Sequence, residues 1–298
     1  MHPTPTDKGT VPFGEYRTWY RVTGEPSADR PTAVVLHGGP GSTHDYLLRL
    51  SELAREDWAV VHYDQLGNGG STRLADRPSE FWTTELFLAE LDNLLRRLGI
   101  ADDYVLIGHS WGGVLATAHA QTRPTGLRGL VVANAPPSYP LWRRELAVLR
   151  TRLPADVAAV LTRHEAAGTT DEPEYQEACQ VFYDRHVCRI VPWPRDLLAS
   201  HWEICGNPAV YLAMNGPAEF HVTGSLCDFS LCERSPVEVP VLLLSGAHDE
   251  VTPAAMEPFR RITPHARRVV FPRSSHLPHL EEPALFDAVL TDFLGSLV

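Results

Sequence analysis

No stripe of lysine or arginine runs through this 298-residue chain; its densest basic spots are pairs such as Arg143-Arg144 and Arg267-Arg268. Lys and Arg number 26 against 37 Asp and Glu, a formal net charge of -11. The chain therefore has no electrostatic reason to bind nucleic acid or an anionic membrane. Solubility alone accounts for the acidity, and so does attraction of cationic substrates; the charge total does not separate the two. No apolar run exceeds strand length, so no segment is expected to span a bilayer. The opening Met1-His2-Pro3-Thr4-Pro5 has neither a basic n-region nor an apolar h-region, which predicts no secretory signal. Cysteines are few and odd in number: Cys179, Cys188, Cys205, Cys227 and Cys232. None belongs to a Cys-x-x-Cys pair, which argues against a disulfide framework and predicts a reduced, cytoplasmic protein. Internal repeats and low-complexity tracts are also missing.

What is present is an apolar content of 44%, enough for a large core, and one motif in a telling context. Residues 108–113 read Gly-His-Ser-Trp-Gly-Gly, directly after the apolar run Tyr104-Val105-Leu106-Ile107. A strand enters, a helix-compatible stretch from Val114 to Gln121 leaves, and Gly-x-Ser-x-Gly lies between. Such a turn holds its serine in a strained conformation at the carboxyl end of a sheet, and glycines at 108 and 112 let strand and helix approach. Ser110 is the candidate nucleophile.

Strand and helix signals alternate around it. Residues 11–23 read as a hairpin, and buried-strand runs follow at 32–36, 58–63, 105–107 and 130–133, then at 239–245 and 268–271. Residues 84–98 carry an apolar helical face that includes Glu90, and 286–294 read as a closing helix. This alternation predicts a mostly parallel central sheet covered on both faces, and the Gly-x-Ser-x-Gly turn between its strand and helix makes the expected fold an α/β-hydrolase fold. Residues 138–235 break the rhythm. They show helical stretches at 145–153 and 173–182, several prolines, Trp142, Trp193 and Trp202, and no clear buried strand. The division expected is a core of residues 1–137 and 236–298 with a helical cap subdomain at 138–235.

A serine hydroxyl needs a base within hydrogen-bond reach and an acid that orients the base. In this architecture the chain order is Ser, acid, His. The run Val241-Leu242-Leu243-Leu244 leads into Ser245-Gly246-Ala247-His248-Asp249, which puts Asp249 at the sheet's carboxyl edge. The last strand leads through Pro272-Arg273-Ser274-Ser275 to His276. Asp249 and His276 are the candidate acid and base. His279 is the rival base, but it should begin the following helix; His248 comes off the wrong strand. His276, His279 and Glu281 resemble metal ligands, but no second cluster supports a zinc site, and no metal or organic cofactor is implied. His37-Gly38-Gly39-Pro40-Gly41 follows the first buried strand, where an oxyanion loop belongs. The amides of Gly39 and Trp111 are the expected oxyanion donors, since Pro40 cannot donate.

Together these pieces resemble the prolyl iminopeptidase family of α/β-hydrolases and its L-amino-acid amidase relatives. The likeness rests on residues 37–41, on Tyr63-Asp64-Gln65 with Gly67, Gly69 and Ser71, and on residues 108–113. It continues in Met214-Asn215-Gly216-Pro217-Ala218-Glu219-Phe220, in Asp249-Glu250-Val251-Thr252-Pro253 and in Ser275-His276. The resemblance implies that Ser110, Asp249 and His276 form the triad. It also implies that Glu219 and Glu250 bind the substrate's free α-ammonium. Leu66 and Gly70 stand where prolyl iminopeptidases often carry arginine, whereas residues 12–20 and 164–170 look more like the amidase branch. The substrate implied is a short peptide or amino-acid amide with a free amino group on proline or another apolar first residue, with no nucleic-acid or membrane partner. Two other readings stand beside it: an esterase or lactonase acting on uncharged acyl groups, and a non-catalytic ligand receptor of the same fold.

Overall fold

The structure, a computed structural model, describes residues 2–298. It opens with the hairpin β1 (Asp7–Phe13) and β2 (Tyr16–Thr23), then β3 (Thr32–Leu36), a 3-10 segment (Asp45–Glu56) and β4 (Val60–Asp64). Helix α1 (Thr84–Arg97), β5 (Tyr104–His109), α2 (Trp111–Ala120) and β6 (Leu127–Ala133) follow. Five helices then intervene before another strand: α3 (Tyr139–Arg150), α4 (Ala155–Ala167), α5 (Pro173–His186), α6 (Arg195–Gly206) and α7 (Ala209–Met214). The chain closes with β7 (Val241–Gly246), α8 (Phe259–Ile262), β8 (Arg267–Phe271), α9 (Pro278–Glu281) and α10 (Pro283–Gly295).

The eight strands form one sheet in the order β1-β2-β4-β3-β5-β6-β7-β8. Pairings from β4 through β8 are parallel, and only the opening hairpin and its contact with β4 are antiparallel. Alternation along each strand divides the core in two. Val34, Leu36, Tyr63, Leu106 and Val132 face one apolar cluster with α1 and α2. Ala33, Val35, Val60, Ile107, Val131 and Leu244 face the other, against Phe286, Leu290 and Phe293 of α10.

Several boundaries differ from the periodicity reading. Strand β7 begins at Val241 rather than Val239; Pro240 has no N–H to give a ladder. Helix α3 begins six residues earlier than expected and ends at Arg150, because Pro140 suits the first turn of a helix. The 3-10 segment at Asp45–Glu56 has no counterpart in the periodicity reading; its apolar face buries Tyr46, Leu47 and Leu50.

Glu90 is the polar member of the α1 inner face. It is fully buried and accepts from Thr18 Oγ1 (2.5 Å) and from the Leu66 amide (3.0 Å). Burial, outweighing these donors, pushes its carboxyl up to about 7. The folded value lies above the unfolded one, about 4.3. Its contribution is therefore fully present below pH ~4 and lost as pH rises through 7. Glu90→Gln is expected to gain on wild type by about 2.5 kcal/mol between pH 5 and pH 8, read by denaturant unfolding at each pH. Parallel stability curves would show that Glu90 does not titrate in this range.

Candidate active site

Strand β5 delivers the nucleophile turn. Ser110 adopts φ 54° and ψ -126°, a region that non-glycine residues occupy only under constraint. The constraint is visible in its glycine neighbours. A Cβ on Gly108 would lie 2.3 Å from the Gly112 carbonyl oxygen, and one on Gly112 would lie 2.2 Å from that of Leu36. Strand, turn and helix α2 are thus packed backbone to backbone, and the serine has no room to relax. Trp111 opens α2, so its amide is one of the free N–H groups at a helix start.

The loops after β7 and β8 bring Asp249 and His276 together. His276 Nδ1–H donates to Asp249 Oδ1 at 2.7 Å, which leaves Nε2 unprotonated in the neutral ring. Asp249 Oδ1 also accepts from the Val251 amide (2.9 Å), and Oδ2 accepts from Asn134 Nδ2 (2.6 Å). Burial opposes the charged imidazolium, but Asp249, then Glu219 and Glu281, outweigh it and hold His276 above the ordinary imidazole value.

Two buried chains of hydrogen bonds tie these loops together. In the first, the Gly38 amide donates to Tyr46 Oη (2.7 Å), whose hydroxyl donates to His109 Nδ1 (2.8 Å). His109 Nε2–H then donates to the His276 carbonyl (2.7 Å). Burial holds His109 far below the ordinary imidazole value, in keeping with a neutral ring that accepts on one side and donates on the other. In the second, Gln65 bridges the glycine loop and α2. Its Nε2 donates to the His37 carbonyl (2.9 Å), and its Oε1 accepts from Trp111 Nε1 (2.8 Å). The expected oxyanion loop is thus anchored from both sides.

Ser110, Gly38, Gly39, His276 and Glu219 line one cavity of about 850 Å³. The segment between β6 and β7 supplies much of the remaining wall, including Trp193 in the loop before α6 and Trp202 in α6. Trp142 and Phe220 are instead buried in the core. Trp142 Nε1 donates to the Glu250 carbonyl, and Phe220 packs on Phe182.

Glu219 is half-buried at the cavity wall and accepts from Tyr211 Oη (2.8 Å). Glu250 is fully buried, and neither of its carboxylate oxygens has a hydrogen-bond partner among the described residues. Glu250 Oε1 lies 3.6 Å from His276 Nε2. Burial, then the charges of Glu219 and Asp249, push Glu250 well above the ordinary carboxyl range. Burial likewise raises Glu219, against the pull of His276 and Tyr211.

The rival groups are occupied elsewhere. His279 lies in α9, where its Nε2 donates to the Tyr46 carbonyl (3.0 Å). Glu281 accepts from Ser275 and from the Arg189 amide, so His276, His279 and Glu281 do not converge. His248 is exposed. Tyr46, Asn134 and Tyr211 carry no motif of their own. The one sequence signal for Asn134 is its place directly after β6, where asparagine tolerates the observed φ of 55°.

Residues 31–283 match the α/β hydrolase fold family. A proline iminopeptidase from Heyndrickxia coagulans is 37% identical over 265 residues, covering 89% of this chain and 90% of that protein. The crystal structure of a Mycobacterium smegmatis proline iminopeptidase superposes with a TM-score of 0.90 at 45% identity, covering 98% of each chain. The crystal structure of VinJ superposes with a TM-score of 0.97 at 59% identity, covering 99% of this chain and all of that one. With its nucleophile turn, its Asp249–His276 pair and these relatives, the chain belongs to the proline iminopeptidase family of α/β-hydrolases.

Proposed function

We propose that this chain is a serine aminopeptidase or amino-acid amidase. It releases a first residue bearing a free α-amino group, proline or another apolar residue, from short peptides or amino-acid amides. Ser110 Oγ attacks the scissile carbonyl while His276 Nε2 takes its proton, and Asp249 holds the imidazole and stabilises its charged form. The amides of Gly39 and Trp111 receive the oxyanion. The tetrahedral intermediate collapses as His276 returns the proton to the leaving nitrogen, which departs as a neutral amine and leaves an acyl-Ser110. Water, deprotonated by His276, then releases the amino acid. These steps use side chains, backbone amides and water. Residues 138–235 act as a cap over this face, and the work is that of a cytoplasmic enzyme on small substrates.

The observation that carries the reading is the acid pair. A buried carboxylate without a donor is costly, and Glu250 is one, beside Glu219 and the candidate base. A substrate ammonium supplies the missing donors and charge. An esterase for uncharged acyl groups explains Ser110, Asp249 and His276 but leaves both glutamates without a cation to bind. The cavity, about 850 Å³, is of the size that holds a drug-sized ligand, so a leaving group fits beside the first residue.

The test is hydrolysis of prolyl- and alanyl-p-nitroanilide, each with free and acetylated nitrogen. Free forms are expected to exceed acetylated ones by about 10³-fold or more in kcat/KM, as sites built around a polar partner discriminate. Equal rates would leave the esterase reading.

A further inference from the structure

The second neighbour of the base is the feature that the triad does not use. His276 Nδ1 is committed to Asp249, while Nε2, the atom that must take the Ser110 proton, lies 3.6 Å from Glu250 Oε1. Among the described residues the Ser110 hydroxyl and Nε2 make no hydrogen bond, although both groups line the cavity. Building on the ammonium role of the acid pair, we propose that the substrate's α-ammonium also switches the base on, by drawing Glu250 away from His276 Nε2.

Charge and a single proton decide the state of the base. Glu250 is fully buried, and among the described residues neither of its oxygens has a partner. Glu219, Asp249 and His276 are the charged or titratable neighbours that act on it, and the phenols of Tyr139, Tyr183 and Tyr211 feel its charge. Around the imidazole stand Asp249, Glu250, Glu219 and Glu281, with His109 edge-on at 4.7 Å between ring centroids. His279 also senses the imidazole. Two carboxylates so enclosed do not readily carry full charge together, so the empty site keeps a proton. On His276 that proton makes an imidazolium facing Glu250. On Glu250 it makes a carboxylic acid facing Nε2. Both placements occupy the atom that catalysis needs free.

An α-amino group, with an ordinary pKa of about 8, arrives protonated at neutral pH. Its positive charge between the carboxylates replaces the stored proton, which passes to bulk water. The charge of the site is unchanged, and Nε2 is left with a lone pair for Ser110. A neutral ligand brings no such charge and meets a base still held by Glu250.

The experiment compares pH–rate profiles of wild type and Glu250→Gln on alanyl-p-nitroanilide and on a neutral p-nitrophenyl ester. With wild type, the acid limb for the ester is expected at higher pH than the kcat limb for the anilide. Glu250→Gln is expected to move the ester limb down by about one unit, so that the variant outruns wild type several-fold on the ester at pH 6 while losing about 10²-fold or more on the anilide. An ester limb unmoved by the substitution, with the anilide still lost, overturns the switch and leaves ammonium binding intact. An anilide rate unchanged in Glu250→Gln overturns ammonium binding itself. Calorimetry on wild type gives a second reading free of any folding defect. Binding of alaninol, which carries the ammonium but no scissile carbonyl, at pH 6 in buffers of different ionisation enthalpy, is expected to release about one proton, and release of none overturns the switch.

Discussion

Replacing Asp249 by asparagine is expected to lower kcat on a free-amine anilide about 10³- to 10⁴-fold, with KM little changed. The site predicts how the loss arises. Asp249 Oδ1 accepts two hydrogen bonds, from His276 Nδ1 and the Val251 amide, and Oδ2 accepts one from Asn134 Nδ2. An asparagine must keep its oxygen toward the first two donors, since an NH₂ there would face both. Its NH₂ then meets the Asn134 NH₂. Asn134 resolves the conflict by turning over: its Oδ1, which has no partner among the described residues, then accepts from the new NH₂, and the long bond from its Nδ2 to the Ser275 carbonyl (3.4 Å) is given up. The short hydrogen bonds survive and the fold with them, but the negative charge that stabilises the imidazolium is gone. Loss of kcat with an unchanged unfolding temperature is the expected signature. A variant that keeps a tenth of wild-type kcat would remove Asp249 from the mechanism.

The same residues show what was legible in the chain and what was not. Ser110, Asp249 and His276 each follow a short apolar strand, so their places at one edge of the sheet could be read from local pattern and chain order. The glycines at 108 and 112 were legible for the same reason, since their role is local. Gln65 and His109 stood within the motifs but without a role, and Tyr46 and Asn134 stood in none, because what defines all four is a partner far away in sequence: Tyr46 meets His109, Gln65 meets Trp111, and Asn134 meets Asp249. Glu90 fell within an apolar helical face and could only be recognised as a buried carboxyl once Thr18 and Leu66 were seen against it. Trp142, Trp193, Trp202 and Phe220 looked alike in sequence; packing separates the core pair, Trp142 and Phe220, from the cavity pair. The helices between β6 and β7 were legible as helical and strand-free, but their limits depend on tertiary contacts with the site below, which periodicity does not encode.

Glu219→Gln is expected to lower kcat/KM on alanyl-p-nitroanilide about 10²-fold, to change a neutral ester's rate less than about threefold, and to raise the unfolding temperature. The loop that carries Glu219 is held by its own backbone rather than by the carboxylate. Asn215 Nδ2 donates to the Ala218 carbonyl, and the Thr223 amide donates to the Asn215 carbonyl. Gly216 sits at φ 131°, where a Cβ would lie 2.6 Å from the His221 carbonyl oxygen. A glutamine therefore keeps the position and still accepts from Tyr211 Oη through its own oxygen. What it removes is one of two charges facing the ammonium. The stability change has the opposite sign for a reason that linkage supplies. Glu219 is held above its ordinary value by burial, so the folded state favours its protonated form, and its contribution is lost as pH rises through the folded value. A neutral glutamine escapes that loss, and its gain in unfolding temperature should grow from pH 5 to pH 8. Simple damage to the cap would lower stability and activity together. A carboxylate kept for an incoming cation, at a cost to the empty protein, predicts that they move apart; parallel losses in both would sink its assignment to the ammonium site.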